Sequence, residues 1–113
     1  MGDPVWPRFS DEIHIKSNPG GNWRVKRHAV KRTGNITFTC DVDGCHVWVM
    51  FPDGRTPLAS AKTQEHGDCP LTVTIEVASG KEGVYPYCVL VQDSNQEFHL
   101  VEGISPPELI ICP

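Results

Sequence analysis

Five cysteines, at 40, 45, 69, 88 and 112, and the histidines at 46, 66 and 99 are the side chains of this chain best suited to hold a metal or to react. Cys40-x4-Cys45-His46 together with His66-x2-Cys69 could supply four ligands of borderline softness to a zinc ion. The spacing is not that of a standard zinc ribbon, and Cys40 falls on the apolar face of its own segment. In an oxidising compartment disulfides from the same set outrank zinc, with Cys45 to Cys69 as a loop-to-loop link. An odd number of cysteines leaves at least one thiol unpaired in a monomer. Cys45 and His46 are adjacent, so a strand sends them to opposite faces, a poor arrangement for activating a thiolate. No nucleophile elbow, phosphate loop or His-Glu-x-x-His pattern occurs, and we read the chain as non-catalytic.

Charge offers a second candidate site. Arg24, Lys26, Arg27, Lys31 and Arg32 are half of the 10 basic residues and lie close together. Alternation puts Arg24, Lys26 and His28 on one solvent face, and Arg24, Lys26 and Arg27 form a candidate contact for an anionic partner. A charged edge strand, guarded against pairing with other chains, explains the same cluster equally well. Nucleic acid is not the expected partner: the net charge is −4, and Trp23 is the only aromatic interleaved with the cluster.

The elements that must position these groups are strands. No segment keeps apolar residues at helical spacing, whereas period-2 alternation recurs. Ile13 and Ile15 alternate with polar neighbours, and Trp23 and Val25 begin a second element after a turn at 18–21. Ile36, Phe38 and Cys40 share one face of the next strand. Residues 46–51 form another, ending at Pro52-Asp-Gly54. The stretch from Arg55 to Pro70 reads as polar and irregular, with a helical turn near Leu58–Lys62. Leu71, Val73, Ile75 and Val77 make the cleanest strand. In Gly83-Val-Tyr-Pro-Tyr-Cys-Val-Leu-Val91, Tyr85, Tyr87, Val89 and Val91 take one face, and Val84, Cys88 and Leu90 the other. A polar loop from Gln92 to Gly103 leads to a last strand at 109–112. Seven to eight short strands of this kind call for two packed antiparallel sheets in one domain, residues 1–113.

Bulk properties agree. An apolar fraction of 39% and a charged fraction of 21% are ordinary for a soluble globular domain. No apolar run approaches the length of a membrane span, and the first residues carry no signal-peptide core. The expected location is therefore the cytoplasm, or the exterior with a leader removed.

In chain order, Gly34-Asn-Ile-Thr-Phe-Thr39, His46-Val-Trp-Val-Met-Phe51, Leu71-Thr-Val-Thr-Ile-Glu-Val77, Gly83-Val-Tyr-Pro-Tyr87 and a closing Ile-Ile strand resemble the cupredoxin fold. The resemblance implies an all-β, antiparallel two-sheet Greek-key sandwich. It also implies a copper ion held by a His before the fourth strand, a Cys closing the Tyr strand, and a His and often a Met in the next loop. Carried over by position, His46 matches the first ligand. The Cys position falls on Val89, and the neighbouring Cys88 has the opposite parity. His99 lies 11 residues beyond Cys88, and no Met accompanies it. His46, Cys88 and His99 are thus the candidate copper ligands, but they do not make up the rigid His₂Cys set of a blue-copper centre.

The expectation is a cupredoxin-like domain with no cofactor that binds an undefined protein or small-ligand partner. The alternatives are a copper-binding or electron-transfer cupredoxin, and an immunoglobulin-like interaction domain with Cys40, Cys88 and Trp48 in its core. The latter family's strand F would place Cys where Tyr87 stands. In the cupredoxin-like arrangement the loops at 41–46 and 92–103 come together. They would offer Asp41, Asp43, His46, Asp93, Glu97 and His99 to a weak divalent cation or a basic partner.

Overall fold

Alternating apolar residues become buried strand faces throughout the computed structural model, which describes residues 11–17, 23–25, 28–31, 34–52, 54–76, 82–101 and 107–111. For 28–31 only the backbone is described. Among the described residues all regular structure is β, apart from one 3₁₀ turn at Ala59–Ala61. The strands are β1 (Glu12–Ser17), β2 (Trp23–Arg24), β3 (His28–Lys31), β4 (Gly34–Cys40), β5 (His46–Met50) and β6 (Gln64–Asp68). They continue with β7 (Leu71–Ile75), β8 (Gly83–Pro86), β9 (Cys88–Gln92), β10 (Phe98–Val101) and β11 (Glu108–Ile111).

Two four-stranded sheets, ordered β2-β1-β4-β7 and β10-β9-β5-β6, are joined by a three-stranded sheet, β3-β11-β8. Most pairings are antiparallel, but β1 runs parallel to β4 and β3 parallel to β11, a departure from the purely antiparallel expectation. The strands also outnumber the expected seven to eight. Tyr87 separates β8 from β9, and the chain that closes the fold splits into β10 and β11, which belong to different sheets. Two further strands lie inside segments read as loops. β6 has no apolar alternation because it is an edge strand, and only its pairing with β5 defines it. β10 is too short to show a period and is defined by pairing with β9.

The sheets bury their inner faces against each other in a single core. Ile13, Ile15, Ile36, Phe38, Val73 and Ile75 come from one four-stranded sheet, and Val47, Val49, Val89, Val91 and Val101 from the other. Tyr87 bridges them: its ring meets Phe38 edge-on at 6.2 Å and tilts against Phe51 at 5.9 Å. Its hydroxyl is buried without a hydrogen-bond partner. Burial pushes that phenol above its ordinary range. Tyr85, Tyr87, Val89 and Val91 all face inward, as their alternation predicts. The chain passes from one sheet to the other at β4–β5 and again at β6–β7, so both crossings lie at one corner.

Candidate functional site

The two outer faces of this sandwich have opposite characters. On the β1-β4-β7 side the outward residues are polar and bonded to one another. Thr37 and Thr72 hydroxyls meet at 2.9 Å, Thr39 donates to Glu12 at 3.2 Å, and Thr74 donates to Asn35 at 3.0 Å. That is the solvated face an antiparallel sheet normally shows to water.

The outward face of β10-β9-β5-β6 is different. Directly paired residues point the same way, so register defines rows across the sheet. One row runs Leu100, Leu90, Trp48, His66, and the next Phe98, Gln92, His46, Asp68. A shorter row holds Cys88, Met50 and Gln64. Phe98 is 59% exposed and Leu100 53%, and Trp48, Leu90, Met50 and Cys88 are partly exposed. Trp48 is the hub: its ring lies 4.5 Å from His46, 6.0 Å from His66 and 5.9 Å from Phe98. His46 is held at both nitrogens, Nδ1 to Asp68 at 3.0 Å and Nε2 to Nδ1 of His66 at 3.0 Å. The consistent neutral arrangement has Nδ1–H of His46 donating to Asp68 while its Nε2 accepts from His66. The face is a rigid aromatic and aliphatic platform, with imidazoles and a carboxylate along one side.

Beside it lies the β9–β10 hairpin. Asp93 Oδ1 accepts from the backbone N–H groups of Asn95 at 2.9 Å and Glu97 at 3.1 Å, and Oδ2 meets His99 Nε2 at 2.7 Å. Hydrogen bonding from His99, then from Glu97 and Asn95, holds the Asp93 carboxyl below its ordinary range. His99 stacks on Trp23 of β2 at 4.9 Å, fastening the hairpin to the opposite sheet. Asp93, Glu97 and His99 bring their ligand atoms within 4.8 Å of one another. The Asp93 oxygens are already engaged by three donors, so the cluster works as a hairpin clasp. Gly44 (φ +79°) lies against this hairpin, where an added Cβ would come within 3.3 Å of Ser94. Thus the 41–46 loop neighbours the β9–β10 hairpin, while 102 and 103 lie outside the described residues.

Not all the residues singled out by sequence meet. His46 points outward from β5, whereas His99 lies in the inward register opposite Val91, so the sheet separates them. Cys88 is outward but sits opposite Met50, at the other end of β5 from His46. The structure therefore does not bring His46, Cys88 and His99 together. The four-ligand zinc set is divided for the same reason: Cys45 and Cys69 lie on the core side of the β5–β6 ladder, His46 and His66 on the solvent side. The immunoglobulin pattern fails as well, because Trp48 is on the outer face and Cys88 is turned away from Cys40. Asp41 is used internally, accepting from Ser17 N at 3.1 Å and Ser17 Oγ at 2.9 Å to close the end of β1. Asp43 is exposed. Of the basic candidates Arg24 is exposed on β2, while Lys26 and Arg27 lie outside the described residues, as do Arg32, Cys112 and the turn at 18–21.

Sequence reasoning missed the Trp48–Phe98–Leu100 platform. Trp48 and Met50 alternate with buried Val47 and Val49, which marks them as outward. Phe98 and Leu100 carry no such signal, because β10 is only four residues long and lies in a polar stretch. No helix among the described residues is long and apolar enough to cross a membrane. No protein-family model, curated protein or solved structure matches this chain.

Proposed function

We propose that this chain is a non-catalytic binding domain, cupredoxin-like without a type 1 copper site, that docks a partner protein on the outer face of β10-β9-β5-β6. The observation that carries the reading is the asymmetry of the two outer faces. One is a network of threonines, and the other exposes Trp48, Phe98, Leu90, Leu100 and Met50 together. Isolated exposed apolar residues need no explanation, but a contiguous aromatic patch on a rigid sheet marks a contact surface. Its Trp, Phe, Met and Leu content is that of a protein interface core, with Asp68, His66 and Gln64 as a polar rim. The one carboxylate of that rim, Asp68, and a net charge of −4 suit a partner that is apolar at its centre and carries a basic group beside it.

The cupredoxin-like reading is supported by where its motifs fall. The Gly34, His46, Leu71 and Gly83 segments become β4, β5, β7 and β8. His46 stands at the start of its strand, and the 41–46 loop adjoins the hairpin that follows the Tyr strand. Inward-facing Val89 occupies the position of the missing Cys ligand, with its neighbour Cys88 outside.

The experiment is recovery of the partner by the wild-type chain and by Trp48→Ala and Phe98→Ala from the cells that make it. A basic partner retained by wild type and lost with both folded variants supports the reading; equal retention overturns it. Addition of Cu(II) tests the copper-free part independently. An intense blue or green thiolate charge-transfer band that disappears in Cys88→Ser would overturn it.

A further inference from the structure

Three inward-facing cysteines meet at the corner where the chain twice changes sheets. Cys40 ends β4, Cys45 precedes β5, and Cys69 lies between β6 and β7. The β4–β7 register runs from Gly34↔Ile75 to Phe38↔Leu71, and Cys40 and Cys69 each lie two residues beyond that last pair. The β5–β6 register, starting at His46↔Asp68, continues to set Cys45 opposite the same Cys69, whose N–H donates to Cys45 O at 2.9 Å. Cys69 therefore faces a cysteine in each sheet.

Two observations choose between them. Sγ of Cys69 leans toward β4, donating to the Phe38 carbonyl at 3.5 Å. Cys40 and Cys69 are both partly exposed, whereas Cys45 is 2% exposed and closed to an oxidant. We propose that Cys40 and Cys69 are a reversible disulfide site that staples β4 to the β6–β7 crossing, with Cys45 remaining a thiol. Cys69 Sγ is held against the carbonyl of Phe38, two residues before Cys40, and a disulfide between the two cysteines requires Cα atoms about 4.4–6.8 Å apart. Cys40 also interacts with the Cys69 and Cys45 side chains, and desolvation pushes its thiol above the ordinary range, which slows its reaction and calls for mildly alkaline conditions.

The oxidant is a small-molecule disulfide such as oxidised glutathione. One thiolate of the pair attacks it, forming a mixed disulfide and releasing one glutathione thiol. The second cysteine then attacks the protein sulfur of that mixed disulfide and expels the second glutathione thiol. Two electrons pass from the cysteine pair to glutathione disulfide, and the two cysteine protons end on the two thiols released. The product links the two sheets covalently without using the outer face, so this site is independent of partner binding.

The test is to incubate the reduced chain with oxidised glutathione at mildly alkaline pH, trap free thiols by alkylation and map the products. Cleavage before Asp41 and Asp43 separates Cys40 from Cys45, and cleavage after Lys81 separates Cys69 from Cys88. The expected result is an intramolecular link between the Cys40 and Cys69 peptides, with Cys45 recovered alkylated. The thermal midpoint should rise on oxidation and return on reduction. Cys45→Ser should form the same link, and Cys69→Ser should not. A link mapping to Cys45, or glutathione adducts at Cys40 and Cys69 with no link between them, would overturn the proposal.

Discussion

Asp93 illustrates how one side chain sets the geometry of a loop. Its carboxylate gathers Asn95 N–H, Glu97 N–H and His99, so folding favours its ionised form. The depressed folded-state pKa makes this a stability term that is present above the unfolded carboxyl pKa and is lost as pH falls through the folded value. Asp93→Asn should therefore be less stable than wild type at neutral pH, with the difference shrinking at the acid end. Thermal melts from pH 7 down to pH 2 check this; a pH-independent difference contradicts it. Tyr87 makes the opposite point, since its hydroxyl has no hydrogen-bond partner in the core. Tyr87→Phe removes that desolvated group and keeps the ring, and should raise stability by about 1 kcal/mol in urea unfolding. Both residues were visible in the sequence, but their roles were not. Sequence alone makes Asp93 a solvated or cation-binding group, because hydrogen bonds to backbone N–H leave no compositional trace.

Strand alternation made β1, β4, β5, β7 and the β8–β9 segment legible, because each has one buried face and shows it as period 2. β6 and β10 were not legible, and both are edges of the sheet that carries the aromatic platform. Gln64-Glu-His-Gly-Asp68 has no apolar face to display, and Phe98-His-Leu-Val101 is apolar on the solvent side. Consequently the half of the candidate site on β5 could be read as outward, while Phe98 and Leu100 could not be placed. At Gly67 on β6 an added Cβ would come within 3.0 Å of Leu71 Cδ1, the end of a side chain that must shift by a few tenths of an ångström to admit it. The two faces of the sheet should also respond differently to truncation. Ile36→Ala, in the core at 0% exposure, should cost about 2–5 kcal/mol in urea unfolding. Phe98→Ala should stay within about 0.5 kcal/mol of wild type while weakening partner binding at least tenfold. A large stability loss in Phe98→Ala would mean that the platform is structural.

At the scale of the molecule, the sandwich holds two unlike surfaces on one core. A polar threonine face and an aromatic face are separated by the same packed layer of Ile, Val and Phe, which keeps the aromatic rows in register without a bound partner. The all-β class was legible from alternation alone. The parallel pairings, the third sheet and the meeting of three cysteines at one corner depend on how strands are ordered, which no local pattern encodes. On the reading proposed above, the β10-β9-β5-β6 face touches another protein when the chain is at work. Site-specific photo-crosslinking in the cells that make it tests this most directly, with a benzophenone amino acid at Phe98 or Leu100 and, as a control, at exposed Thr74 on the opposite face. A discrete protein adduct is expected from positions 98 and 100 and none from 74. No adduct from 98 and 100, or the same adducts from all three, would contradict it.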